Sequence, residues 1–306
     1  MDNAALVEGF RLCKSHNPAI SQSHNPESNN LTRWGLAAWR ERNESAVPQG
    51  RIVSGHGDYY HLVCNEEEGE VIARKKKSAF LDDDAVKPMT GDFVRFIFNP
   101  HGESMITEVL PRFSWFVRRD PTARRKEQTL AVNFDALFVM MSAVENFSVP
   151  RLERFLALAE DMGDARVVAV LTKIDLIENF SLKGFLAENG LTGDEAPFIA
   201  ISSRTGAGLD DVRRHVTKGR TVAFIGLSGV GKSSLVNALA GEEWMATQEV
   251  QEWSGKGRHT TTSRELVMLP SGAMVMDTPG IREIARVGER DIESVKGAFS
   301  HRWRIK

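Results

Sequence analysis

The string Gly226-Leu227-Ser228-Gly229-Val230-Gly231-Lys232-Ser233 satisfies G-x-x-x-x-G-K-[ST] at every fixed position, and no other feature constrains the fold of this chain as strongly. The motif works only between a buried strand and a helix, because loop N–H groups and the helix amino end together form a phosphate cradle. Residues 221–225 read as the strand and 234–239 as the helix. Backbone N–H groups from Gly226 to Ser234 are expected to bind phosphate. Lys232 should reach the β- and γ-phosphates as a point charge, and the Ser233 hydroxyl should ligate magnesium.

The surrounding pattern agrees. Beyond residue 132, apolar strands alternate with amphipathic helices: strands at 136–142, 167–172 and 197–202, helices at 149–162 and 209–216. This predicts an α/β fold with a mostly parallel sheet, whose ligands bind at the carboxyl ends of the strands. At the end of the apolar segment 273–276 stands Asp277-Thr278-Pro279-Gly280, a D-x-x-G string. Asp277 is placed to hold magnesium through water, and the Gly280 N–H to sense a γ-phosphate. Between this string and the P-loop lies Gly257-Arg258-His259-Thr260-Thr261-Thr262. A threonine here is expected to cap the magnesium; Thr261 is favoured, with Thr260 and Thr262 adjacent alternatives.

Base choice is assigned to Thr172-Lys173-Ile174-Asp175, which matches the guanine-reading N-K-x-D with Thr in place of Asn. A carboxylate at Asp175 accepts from guanine N1–H and the 2-amino group; adenine offers no such donor pair, so the wrong base leaves a buried charge unpaired. Lys173 can lay its stem on the ring. Ser202 and Ser203, after the next strand, belong to a loop placed to give a backbone N–H to guanine O6. Ordinary GTPases run P-loop, switch, D-x-x-G, N-K-x-D, serine loop. Here the last two precede the first three, so the chain reads as circularly permuted.

Upstream, residues 51–54, 59–64, 70–74, 92–98 and 105–110 form short strand patterns punctuated by Gly55-His56-Gly57-Asp58, Thr90-Gly91 and Asn99-Pro100-His101-Gly102. Five short strands in so small a span predict a closed barrel, of which the OB-fold is the common form and a frequent oligonucleotide binder. The run Arg74-Lys75-Lys76-Lys77 is either a phosphate-contacting loop or a solvated turn. The stretch from Arg112 to Lys126, with Arg118, Arg119, Arg124 and Arg125, interleaves Phe113, Trp115 and Phe116 and reads as an RNA-contacting segment. The layout expected is a largely mobile extension at 1–47, in which a short amphipathic helix near 31–40 docks on the next domain, then an OB-fold at 48–112, the GTPase domain at 113–284 and a short remnant at 285–306.

Composition narrows the classes. At 306 residues, 42% hydrophobic and 26% charged, the chain has room for two globular domains. Its formal net charge of -2 excludes a protein that coats nucleic acid over its whole surface. Two cysteines, Cys13 and Cys64, make neither a disulfide framework nor a multi-thiolate zinc site. No apolar run is long enough for a membrane helix, and the amino terminus lacks a secretory pattern. The expectation is a cytoplasmic protein with neither membrane nor DNA as partner.

The amino-terminal barrel, the permuted motif order, Leu110-Pro111-Arg112, the segment 151–158 and the string 257–262 together resemble the ribosome small-subunit-dependent GTPase A family, RsgA or YjeQ, over roughly residues 48–284. The resemblance implies a GTP hydrolase that binds 16S ribosomal RNA on the 30S subunit, acts late in small-subunit maturation and is stimulated by the subunit. It also implies a catalytic role for His259, since Ile281 stands where Ras-like enzymes carry a water-orienting Gln, and Lys232 serves beside it. The family continues into a zinc-binding domain with three cysteines and a histidine. No cysteine follows Gly280 here, and His301 cannot build such a site alone, so zinc is not expected in this chain. The alternative is an assembly module gated by GTP but without turnover.

Overall fold

A computed structural model of the chain describes residues 30–43, 48–65, 70–81, 85–118, 128–145, 147–193, 196–241 and 264–277. Two short helices come first, α1 (Asn30–Arg33) and α2 (Leu36–Arg40). The strands that follow are β1 (Gly50–His56), β2 (Tyr59–Cys64), β3 (Glu70–Lys75), β4 (Phe93–Ile97) and β5 (Ser104–Val109). β1 pairs with β2, β2 with β3 and β4 with β5 in antiparallel fashion; β3 and β5 run parallel, and β4 returns to β1. The order 1-2-3-5-4-1 closes a five-stranded barrel of OB-fold type. Alternation sets which side chains enter it: in β3, Val71 and Ala73 point inward while Glu70 and Ile72 face out. Ile52, Leu62, Phe96 and Ile106 complete the small core.

Part of the expected RNA-contacting stretch is committed to the fold instead: Arg112, Phe113 and Phe116. β6 (Trp115–Arg118) and β7 (Gln128–Val132) form an antiparallel hairpin. Phe113 and Phe116 are 7% and 0% exposed and belong to the main hydrophobic cluster, so burial of apolar area claims these rings before any base can. Arg112 grips the fully buried Asp92 carboxylate with Nε and Nη2, both at 2.7 Å. That pairing opposes the burial that pushes the Asp92 carboxyl up. The charged end of Arg112 is thus committed to the barrel. Residues 119–127 lie outside the described residues.

The α/β part contains β8 (Ala136–Ser142), α3 (Val149–Leu158), β9 (Arg166–Thr172), α4 (Leu182–Glu188), β10 (Phe198–Ala200), α5 (Leu209–Arg213), β11 (Thr221–Gly226), α6 (Lys232–Ala240), β12 (Arg264–Met268) and β13 (Met274–Asp277). β10, β9, β8, β11 and β13 lie side by side and parallel. β8 and β11 are buried along their whole length, which is why their sequences are continuous apolar runs instead of alternating ones. The amphipathic α3 covers one face with Leu152, Phe155 and Leu156.

The barrel and the α/β sheet are one surface. β12 pairs antiparallel with β13 on one side and with β1 on the other, through Ser54–Glu265 and Gly55–Arg264. Arg51 of β1, 1% exposed, fills the joint. Its Nη1 donates to Trp34 O at 2.6 Å, and its Nη2 to Asn133 O and Thr221 Oγ1, each at 3.0 Å. Nε donates to Gly91 O at 3.3 Å. The guanidinium also lies over the Phe93 ring, 4.8 Å from its centroid. Burial pushes it down to about 10, against the pull of Asp135 and Asp92, so it remains a cation at neutral pH.

The segment 31–40 docks on the rest of the protein, as expected of its amphipathic pattern. Leu31, Trp34, Leu36 and Trp39 are buried, and Trp39 donates Nε1–H to Pro111 O at 3.0 Å. The helix expected over 31–40 is instead α1 and α2, broken at Gly35, whose φ of 87° lies in the left-handed region. Two tryptophans and two leucines bury too much apolar area to stay in solvent. Residues 1–29 lie outside the described residues.

Candidate functional site

Parallel strands deliver their carboxyl ends to one edge, and the register of the sheet shows that the motif-bearing ends meet there. Gly226 of β11 stands beside Met140 of β8, Ser142 of β8 beside Thr172 of β9, and Leu171 of β9 beside Ala200 of β10. Asp277 is the last residue of β13, the neighbour of β11 on its other side. The P-loop, the T-K-x-D tetrad, the serine loop and the D-x-x-G strand therefore leave the sheet along the same edge. The sequence orders them the wrong way round for a GTPase, but the sheet restores their neighbours.

The P-loop runs from β11 into α6. Its first glycine is required sterically, since a Cβ at Gly226 would sit 2.5 Å from Met140 O. Gly231 caps α6 with a φ of 101°, which a side chain would strain. Val230 is buried in the core below the loop, whereas Ser228 and Gly229 are exposed. Lys232 and Ser233 occupy the first turn of α6 and are half-buried. The Lys232 ammonium donates to Gly226 O at 2.8 Å and Leu227 O at 2.9 Å, so it bends back over the mouth of the loop.

Thr172 heads the tetrad and bonds directly to the P-loop. Its buried hydroxyl donates to Val230 O at 2.7 Å, tying the end of β9 to the P-loop. Lys173 follows with a left-handed φ of 62° and pairs through Nζ with Glu145 Oε2 at 2.8 Å. Ile174 opens a short 3-10 turn, donates its N–H to Ile201 O and packs against the main cluster. Asp175 lies 2.8 Å from Arg204 Nη2. A hydrogen bond from Ser202 first, then the Asp175 N–H and the Arg204 guanidinium, hold its carboxyl below the usual carboxylate range against the opposing effect of burial. The serine loop is ordered from within: Ser202 Oγ accepts from Thr205 N–H at 3.1 Å, and Ser202 N–H donates to Ala207 O at 3.0 Å. Ser203 follows, half-buried.

A cavity opens beside the P-loop, between Leu227–Val230, the end of β8 and the α3 residues Arg151 and Phe155. Glu145 contributes to its wall. Sequence reasoning gives no role to Glu145 or Arg204. Glu145 sits in a loop without a motif, and its partner lies 28 positions away along the chain. Three expected site residues, His259, Thr261 and Gly280, lie outside the described residues, as do Thr260 and Thr262; Asp277 is described by its backbone alone. Among the described residues there is no cluster of three or more His, Cys, Asp or Glu side chains that could hold a metal ion, and no helix is long and apolar enough to cross a membrane.

Comparisons with known proteins converge on one family. Residues 109–286 match the family model described as RsgA GTPase. The chain is 38% identical to small ribosomal subunit biogenesis GTPase RsgA 2 of Lactiplantibacillus plantarum over 258 residues, covering 83% of this chain and 72% of that protein. It is 34% identical to small ribosomal subunit biogenesis GTPase RsgA of Methanosarcina acetivorans, over 94% of this chain and 77% of the relative. The crystal structure of YjeQ from Thermotoga maritima superposes with a TM-score of 0.56 at 26% identity, over 76% of this chain and 74% of that one. The structure of YloQ, titled a circularly permuted GTPase, gives 0.50 at 22% identity over 83% and 79%, a likeness of fold.

Proposed function

The chain belongs to the RsgA GTPase family and is a circularly permuted, GTP-hydrolysing enzyme, and from that premise we propose that it acts in biogenesis of the small ribosomal subunit by binding 16S ribosomal RNA on the 30S particle and hydrolysing GTP in response. The nucleotide part of this reading is carried by the convergence of the P-loop, Thr172–Asp175 and Ser202–Ser203 on one edge of the sheet, joined by the Thr172 hydroxyl on Val230 O, and the small-subunit part is supported by the relatives named for small ribosomal subunit biogenesis.

Each residue's task follows from its place. The exposed N–H edge of the P-loop and the amino end of α6 bind phosphate oxygens. Lys232 exchanges its carbonyl partners for β- and γ-phosphate oxygens and places its charge where charge develops as the γ-phosphoryl leaves. Asp175 accepts from guanine N1–H and the 2-amino group. Because the Ser202 N–H is spent on Ala207 O, the loop donor for guanine O6 falls to Ser203. Catalysis of this kind is positioning plus electrostatics; the water would be oriented by His259, as the family resemblance implies.

The donor set fits magnesium. A hydroxyl at the first turn of the P-loop helix and one carboxylate at a neighbouring strand end suit an ion that takes most of its ligands from phosphate and water, and a larger acidic cluster is not required. Ser233 would bind it directly, Asp277 through water, and Thr261 would complete the set; the ion supplies neutralisation of the phosphate oxygens. Location in the cytoplasm follows from the partner proposed.

Substitution tests the base assignment. Asp175→Asn turns one acceptor oxygen into a donor, so GTP binding should weaken about 10-fold or more while xanthosine triphosphate, which carries an oxygen at position 2, gains relative to GTP. Equilibrium titration of both nucleotides measures this. Unchanged GTP affinity would overturn the assignment.

A further inference from the structure

The base-reading tetrad is gripped from both sides by two residues, Glu145 and Arg204, to which the sequence motifs give no role. β9, which carries it, lies between β8 and β10. From the loop after β8, Glu145 reaches the Lys173 ammonium, 2.8 Å between Oε2 and Nζ. From the loop after β10, Arg204 reaches the Asp175 carboxylate, 2.8 Å between Nη2 and Oδ2. The two bonds act on the two charged positions of one turn, and Lys173 holds a left-handed backbone that side-chain-bearing residues seldom adopt. Asp175 is 13% exposed and Arg204 74%, so the acid is sheltered while its partner spans the rim.

We propose that Arg204 and Glu145 are positioning residues for guanine recognition, Arg204 fixing the Asp175 carboxylate and Glu145 fixing the Lys173 stem. A carboxylate reads two donors only if both oxygens face the base edge, and free rotation about its side chain would spread them over orientations that meet one donor or none. Hydrogen bonds from Ser202 and Arg204 converge on Asp175 and select one orientation. Glu145, in the wall of the cavity beside the P-loop, anchors the Lys173 ammonium and so restricts where the four-carbon stem can lie. The two residues therefore have separable duties. Arg204 governs how well the 2-amino group is read; Glu145 governs contact with the ring, whatever its substituents.

This inference rests on the reading of Asp175 as the base-specific acceptor, and inosine triphosphate, which lacks the 2-amino group, separates the two. Affinities for GTP and ITP are measured by titration of the full chain and of Arg204→Ala, Arg204→Lys, Glu145→Ala and Asp175→Asn. Partly exposed ion pairs of this kind make about a 2- to 5-fold difference. Arg204→Ala should reduce the GTP-to-ITP affinity ratio by about that factor, and Arg204→Lys, which keeps the charge, should recover most of it. Glu145→Ala should weaken both nucleotides alike. A ratio that stays constant or rises in Arg204→Ala while Asp175→Asn collapses it would overturn the inference and leave the base assignment standing. A ratio unmoved by Asp175→Asn would overturn both. Both alanine variants alter partly exposed rim residues, so a thermal midpoint near that of the parent is expected; if it falls instead, Arg204→Lys at full stability still reads the ratio, and failure to recover it overturns the inference.

Discussion

Arg51 shows how much a single side chain can organise. It is a fully buried cation whose direct acceptors are neutral: backbone carbonyls, a threonine hydroxyl, the Met274 sulfur and an aromatic face. Trp34 lies between α1 and α2, Asn133 in the turn after β7 and Thr221 in β11, so one guanidinium binds the barrel, the amino-terminal helices and the α/β sheet. Arg51→Ala would leave buried acceptors without donors and open a void. We expect a loss of about 3–5 kcal/mol in urea unfolding, since each orphaned group costs about 1–3 kcal/mol and the effects overlap. Arg51→Lys should recover only part, because an ammonium cannot span acceptors spread in a plane. A loss below about 1 kcal/mol for Arg51→Ala would show that the joint is held elsewhere. Nothing in the local sequence marks this residue: an arginine in the first barrel strand reads as solvent-facing until the neighbouring domain is known.

At the scale of elements, the hairpin β6–β7 is where pattern and structure diverge most. Arginines alternating with aromatics look like an RNA-binding segment, but the rings of Phe113 and Phe116 are core. Phe116→Ala should cost about 3–5 kcal/mol of stability, as large-to-small changes in a packed core do, and leave the RNA affinity of the folded protein unchanged. Reduced RNA affinity at full stability would return these rings to RNA contact. The strands 136–142 and 221–226 are legible because complete burial demands unbroken apolar runs, and the P-loop because its chemistry fixes glycine positions. The barrel strands are legible through alternation and turn residues. Less can be read where a residue's partner is far away in the chain. β12 and α4 are short, and Glu145 and Arg204 acquire meaning only when β8, β9 and β10 are laid side by side.

Across the whole molecule, the continuous sheet joins the nucleotide edge to the barrel. β12 follows the segment expected to act as a switch and pairs with β1, so the strand next to β13 is also hydrogen-bonded to the small domain. With a formal net charge of -2, affinity for a polyanionic subunit must come from local basic surface. Lys75, Lys76 and Lys77 stand at the end of β3 and in the following 3-10 turn, half-buried to exposed. Replacing all three by Ala should reduce the log-log salt slope of 30S binding by about 0.7–0.9 for each phosphate that is no longer neutralised, with GTP affinity of the free protein unaltered. An unchanged slope would make the run a solvated turn. An enzyme whose turnover answers to the small subunit must show it in one quantity: phosphate release from GTP by this chain, with and without purified 30S subunits. Slow hydrolysis is expected for the chain alone and an increase of about 10-fold or more with subunits, a difference of about 1.4 kcal/mol or more in barrier. The same slow rate in both, with GTP bound in each case, would refute coupling between turnover and the subunit.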